Sequence, residues 1–273
     1  MGDVLPLSAA RNTDRVANAS ETAALEVVLS RREPIADRCR ALRRLGLAPE
    51  ASLRVIGVST VPGRDPAAAT IALMAQKRLT RSAHVGVVGG VVAVLFQQGT
   101  ASPSGVLRAA LRQCNRDKRV ATGIRVGVGG LIGGPDAEIS WEQALLALRF
   151  TCPRDKSGEI GDPGYTVVDY DSLGVLATLA EVSPERLQRE PDVMALDALA
   201  ATENGALDVC ALEAYCLTGS LRQAAQVLYL HHSTVASRLE RVEKAMGWQL
   251  GDPAHRFKAQ FALLARRLAY AAT

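Results

Sequence analysis

Paired cysteines are the first thing this chain lacks. Its five, Cys39, Cys114, Cys152, Cys210 and Cys216, are odd in number, scattered and never spaced CxxC. That excludes a disulfide framework and a zinc site built on cysteine pairs, and it suits a reducing cytosol. His84 and His255 have no neighbours at metal-ligand spacing, so no metal and no cofactor is expected. The longest apolar run, Val85 to Phe96, is broken by glycines and too short to cross a bilayer. Met1 to Ala10 carries no basic and apolar leader, so no secretion signal is expected either. Nor is there an internal repeat or low-complexity tract. What remains is the profile of a cytoplasmic globular protein, whose 273 residues suffice for one large or two ordinary domains.

What is present concentrates near the C-terminus. Of the formal net charge of +4, most lies in residues 205–273, which hold eight Lys/Arg against five Asp/Glu. The balance is eight against seven over 1–50 and sixteen against sixteen over 51–204. A local cationic surplus favours an acidic partner. Within it, Ser220 can cap a helix in which Leu221, Ala224, Ala225 and Leu228 recur at helical spacing, the alanines leaving room for a second helix. Tyr229 to His232 supplies a turn. Val235, Leu239, Val242 and Met246 then form one buried stripe at i, i+4, i+7 and i+11. The other side carries His232, Ser233, Thr234, Ser237, Arg238 and Arg241, small hydrogen-bonding groups followed by guanidinium groups. Two helices about a tight turn, the second offering such a face, suit a helix-turn-helix whose second helix enters a major groove.

The stretch resembles the C-terminal helix-turn-helix of the PucR/CdaR family of bacterial transcription regulators. The family commonly reads His-Arg-Asn-Thr-Leu-Arg-Tyr-Arg-Leu-Glu-Arg here, and His231, Thr234, Arg238, Leu239, Glu240 and Arg241 match it. His232, Ser233, Ala236 and Ser237 stand where the family has Arg, Asn, Arg and Tyr, which removes two basic groups and an aromatic from the face. The resemblance extends from about Ala206 to Ala269. It takes in a helix ended by Gly219, a C-cap at Gly247, and a last helix opening at Asp252-Pro253 with Phe257, Phe261, Leu264 and Leu268 as its stripe.

Upstream, Ala24 to Leu45 reads as a connector helix interrupted at Pro34. A mixed pattern follows: a strand from Leu53 to Ser59, a helix from Asp65-Pro66 to Leu79, and a hairpin of Val85–Val88 with Val91–Phe96 around Gly89-Gly90. Then come a helix from Ser104 to Cys114, a strand at Ile124 to Val128, a helix from Ser140 with Gln143 as a capping box, and a strand at Val167 to Tyr170. Leu173 to Ala201 returns to helix, with breaks at Pro184 and Pro191. This order resembles the GGDEF-like domain that precedes the helix-turn-helix in the same family. In active cyclases of that fold, two acidic residues follow the hairpin glycines and an aspartate on the first strand completes a metal site. Here Val91 and Val92 follow, and Leu53 to Val61 holds no carboxylate, so nothing offers hard oxygen ligands to Mg²⁺.

Other features read as structure. In Gly127-Val-Gly129-Gly130-Leu-Ile-Gly133-Gly134, Ile132 fills the third glycine place of a dinucleotide fingerprint, so a plain strand-to-helix loop is expected. Arg108, Arg112, Arg116, Lys118 and Arg119 read as a solvated helix face, and Cys114 and Cys152 as buried inert thiols.

The expected fold class is α+β: a helical connector over 1–50, a GGDEF-like α/β sandwich over 51–172, a helical linker over 173–204, and an all-α helix-turn-helix domain over 205–273. The expected function is transcription regulation without enzyme activity, with double-stranded DNA as partner, the chain acting as a homo-oligomer, most simply a dimer. The resemblance names no effector. Two rival readings are a nucleotide-processing enzyme of cyclase-like fold, against which Val91 and Val92 count, and a protein-binding adaptor that has lost DNA affinity, which Ala236 and Ser237 favour.

Overall fold

A computed structural model describes residues 19–60, 63, 65–75, 83–97, 102–116, 123–151 and 166–271, with the side chains of 72, 75 and 112–116 excepted. The described residues form two compact units divided between Ala177 and Thr178.

The first unit is a sheet between two helical layers. Its strands are β1 (Ser52–Ser59), β2 (Ala83–Val88), β3 (Val91–Phe96), β4 (Arg125–Val128), β5 (Ile132–Gly133) and β6 (Val167–Asp169), in the order β2-β3-β1-β4-β6, with β5 beside β1. Neighbours are antiparallel except β4 and β6, which run parallel. Period-two alternation divides the side chains. Ile56, Val58, Val92, Val94, Val126 and Val128 point to one face, where helices α3 (Pro66–Ala75) and α4 (Ser104–Arg116) add Leu73 and Leu107. Leu53, Val55, Ala93 and Leu95 point to the other, covered by α1 (Ala19–Val28), α2 (Ile35–Arg44) and α5 (Ala137–Arg149). The hairpin has the expected register, Val88 opposite Val91, with both Gly89 and Gly90 at positive φ, 59° and 83°.

Three expectations are corrected here. The segment read as a connector does break at Pro34, into two helices, but it is not a connector: Leu25, Val28 and Leu42 are fully buried against the sheet. Apolar periodicity gives a helix a buried face without saying which partner covers it. Ser140 caps nothing, because α5 already begins at Ala137. Its hydroxyl instead accepts from the Val55 N–H at 2.9 Å and donates to the Gly130 carbonyl at 2.8 Å, tying helix to sheet, while Gln143 Oε1 accepts from the Gly130 N–H at 2.8 Å. The glycine run is therefore a packing device and not a flexible loop: β4 and α5 approach so closely that a Cβ at Gly127 would lie 2.1 Å from the Ala144 carbonyl oxygen, and one at Gly129 2.0 Å from that of Ser140.

Short helices join the units: α6 (Tyr170–Leu173) and a 3₁₀ turn over Gly174–Glu181. The second unit contains α7 (Pro184–Gln188), α8 (Pro191–Ala200), α9 (Gly205–Thr218), α10 (Leu221–Leu228), α11 (His232–Met246) and α12 (Pro253–Ala269). Pro184 and Pro191 stand in the first turns of α7 and α8, where the missing N–H costs nothing. The stretch expected as a linker is thus part of this unit, with Leu187, Val193, Leu196 and Leu199 buried. It brings the helices α7 and α8 to the four expected after residue 205. Among the described residues no helix is long and apolar enough to cross a membrane.

Replacing Gly129 with Ala should therefore destabilise the first unit by about 3 kcal/mol, the upper end of the usual overpacking cost, since backbone rather than a movable side chain blocks the new methyl. Thermal or urea melting of the full chain measures this; an unchanged midpoint would contradict the close packing.

Candidate nucleic-acid interface

Helices α9, α10 and α11 pack through small residues. Ala211 and Ala214 on α9 and Ala224 and Ala225 on α10 are all buried, which lets Val235, Leu239 and Val242 of α11 reach the core; Met246 is half-buried at its end. Gly219 ends α9 in the left-handed conformation at φ 67°, and Gly247 ends α11 at φ 66°. The α10–α11 turn uses Tyr229 in the same region at φ 54°, unusual for a residue with a Cβ. Its cost is offset by the Leu230 N–H donating back to the Ala225 carbonyl at 2.9 Å and by Leu230 packing on the core.

The turn is one residue shorter than the sequence indicates, because His232 already belongs to α11 and His231 is its N-cap. Nδ1 of His231 accepts from the Ser233 backbone N–H at 3.4 Å and lies 2.8 Å from the Ser233 hydroxyl, while the rings of His231 and His232 sit 4.2 Å apart. Ser233 is therefore engaged locally. His232, Thr234 and Ser237 are exposed. Arg238 is half-buried on the flank of α11, with no ion-pair partner among the described residues.

Arg241 is not free. Its Nε and Nη2 donate to the two carboxylate oxygens of Asp208 at 2.8 and 2.5 Å. The Asp208 side chain is 3% exposed and that of Arg241 50%. This hydrogen bonding raises the Arg241 pKa above the usual guanidinium value, which secures its charge. The structure also shows an outward row, Ser233, Ser237, Glu240 and Lys244, all exposed, at i, i+4, i+7 and i+11, of which the sequence reading names the serines and passes over Glu240 and Lys244. Shifting the buried stripe by two residues would have found it. Arg222 and Gln223 are exposed in the first turn of α10. Asp208 had no local signal, lying 33 residues from its partner.

The last helix also differs from its expected stripe. Ala259, Ala262, Leu263, Ala265 and Leu268 are buried, whereas Phe257 and Phe261 are 67% and 42% exposed. The two rings line an apolar cleft of about 640 Å³ with Leu179, Val182, Leu187 and Val193, because α7 and α8 pack over the alanines of α12.

In the first unit, the positions after the hairpin glycines belong to the sheet. Val92 is fully buried, and Val91 packs against the opposite core. Among the described residues, no group of three or more His, Cys, Asp or Glu is placed to hold a metal ion. The two histidines read as solitary have partners: His84 Nδ1 lies 2.7 Å from Glu21 Oε1, and His255 Nδ1 accepts from the Gln249 N–H at 2.9 Å. Arg108 donates to the Val167 carbonyl at 3.1 Å. Lys118, Arg119 and Cys152 lie outside the described residues, as do the side chains of Arg112, Cys114 and Arg116. Burial pushes the Cys216 thiol up to about 12, so it is no nucleophile.

A sheet-and-helix unit of cyclase-like topology followed by a helix-turn-helix defines a two-module regulator. Residues 209–265 match the PucR C-terminal helix-turn-helix domain, and residues 30–150 match the GGDEF-like domain. The chain belongs to the PucR/CdaR family of transcription regulators. No curated protein matches the sequence. The crystal structure of a regulator of polyketide synthase expression from Bifidobacterium adolescentis is similar at 18% identity, covering 95% of this chain and 98% of that one, with a TM-score of 0.38.

Leu239 tests the internal face of α11. Replacing it with Ala should remove about 2–5 kcal/mol from the second unit. A melt that leaves this unit's transition unmoved would show that the stripe does not hold the helix.

Proposed function

We propose that the chain regulates transcription by binding double-stranded DNA with α11, acting in the bacterial cytoplasm as a dimer on paired half-sites. One observation carries the reading: α11 has one wall buried against alanine-lined helices and an opposite wall of exposed hydroxyl, amine and carboxylate groups. The proposed contacts are His232, Ser233, Thr234 and Ser237 near the helix start, with Arg238 on a flanking phosphate; Arg241, a contact expected from the sequence, is held by Asp208 at the edge of the face and is not counted among them. Hydroxyls reach either base edges or phosphates, and guanidinium groups suit phosphates. So few contacts give modest affinity per module, which is the reason for pairing two of them.

The test is titration of a fluorescently labelled duplex with the full chain, followed by sedimentation of the complex. Wild type should bind with two protomers per duplex. Arg238→Ala should stay folded by circular dichroism and weaken binding on every sequence, with the salt slope smaller by about 0.9. A folded Arg238→Ala chain with wild-type affinity and slope would remove this residue from the interface. Absence of binding by wild type would promote the adaptor reading, which the loss of the family's basic and aromatic groups at Ala236 and Ser237 favours.

The GGDEF-like unit we assign to assembly or signal relay, not catalysis. Phosphoryl transfer needs carboxylates that fix metal ions against phosphate oxygens, and Val91 and Val92 supply none. Nucleoside triphosphates with Mg²⁺ or Mn²⁺ should give no cyclic dinucleotide. Product that disappears on mutation of Gly89 to Val92 would establish the enzyme reading instead.

A further inference from the structure

Asp208 has no place in the proposed contacts, yet among the described residues of the second unit it is the most buried acid, at 2% exposure. A carboxylate enters such a site at a large desolvation cost unless it is paired and hydrogen-bonded. Its partner is the outward-leaning Arg241, engaged through Nε and Nη2, while Nη1 has no partner among the described residues. From any phosphate beyond the helix surface the two charges, 2.5 Å apart at their closest, act as a dipole of zero net charge. This holds at all distances comparable with the Debye length of about 8 Å at physiological salt.

The cancellation matters because α11 has little charge to lose. With Arg241 paired, the remaining charges on α11 are the half-buried Arg238 and the exposed Lys244 against the exposed Glu240 and the half-buried Glu243, whose carboxylate keeps its charge while accepting from the Leu250 N–H at 2.6 Å. Sequence-independent affinity for DNA comes from cations that release counterions from phosphates. Removing one such cation lowers binding to all sequences alike and leaves a larger share of the free energy to base contacts.

We infer that Asp208 is a specificity-determining residue: by neutralising Arg241 it holds down the attraction of α11 for bulk DNA, so that discrimination rests on the helix's hydrogen-bonding groups. The inference rests on the DNA-binding reading above. It differs from a purely structural role in what it demands of the salt slope, because a strut between α9 and α11 has no reason to change the number of phosphates neutralised.

Asp208→Asn and the double variant Asp208→Asn with Arg241→Gln separate the possibilities. The asparagine keeps the carboxylate's shape and one acceptor for Arg241, and the double variant replaces an ion pair by a neutral amide pair of similar volume. The probe is a labelled duplex of mixed sequence, titrated with the full chain at several salt concentrations. Asp208→Asn should bind it more tightly than wild type, with a slope steeper by about 0.9. The advantage should grow three- to fourfold between about 200 and 50 mM salt. The double variant should match wild type in slope and, within twofold, in affinity.

If Nη1 of Arg241 instead grips a phosphate while paired, the double variant will lose about 0.9 of slope, and the inference is overturned. It is equally overturned if folded Asp208→Asn keeps the wild-type slope. Should that single variant prove unfolded by circular dichroism, the double variant alone decides between these outcomes. A wild-type chain with no salt-dependent binding overturns the DNA reading itself, and is distinguished by failing before either variant is compared.

Discussion

The second unit depends on the close approach of three helices through alanine. At Ala211, Ala214, Ala224 and Ala225 the side chains are short and buried, which suits close packing of α9, α10 and α11. The larger side chains of α11, Val235, Leu239 and Val242, then fill the space between. Burying a residue such as Leu239 contributes roughly 1.5–3 kcal/mol, more than an exposed ion pair supplies. Apolar contact therefore decides the rotation of α11 about its axis, and the polar row of Ser233, Ser237, Glu240 and Lys244 is turned outward as a consequence. The outward face is what the core leaves over.

The same constraint shapes the first unit. Gly127 on β4 and Gly129 just after it let α5 approach the sheet, and Ser140 and Gln143 bind the peptide groups of Val55 and Gly130 by side-chain hydrogen bonds. Valine after the hairpin extends the apolar core to the end of β3, where Val92 pairs with Val58 of β1 and is fully buried. Positions that carry metal ligands in active relatives of this fold are here positions of packing. A carboxylate at Val92 would face the desolvation cost that burial imposes on an unpaired charge.

Much of this was legible in the sequence, because periodicity, caps and turns are local. The stripe of α11, the glycine caps at Gly219 and Gly247, the Asp252-Pro253 helix start and the Gly89-Gly90 hairpin all declare themselves within a few residues. Features that failed to show depend on distant partners. Residues 19–44 and 184–200 have apolar faces whose partners lie far along the chain, so they read as connectors when they are core. Phe257 and Phe261 fit a helical stripe as well as the buried alanines do, and only the placement of α7 and α8 decides which row is covered. Arg241 looked like a free cation because Asp208 stands 33 residues away on another helix.

The central claim is that α11 reads DNA sequence and does more than hold a helical domain together. Full-length protein incubated with sheared genomic DNA, washed, and its retained fragments sequenced, tests this most directly. The account predicts a small set of enriched fragments sharing a short repeated element, with the repeats about one helical turn or a multiple of it apart. Retained DNA that mirrors the input, with no shared element, would contradict it.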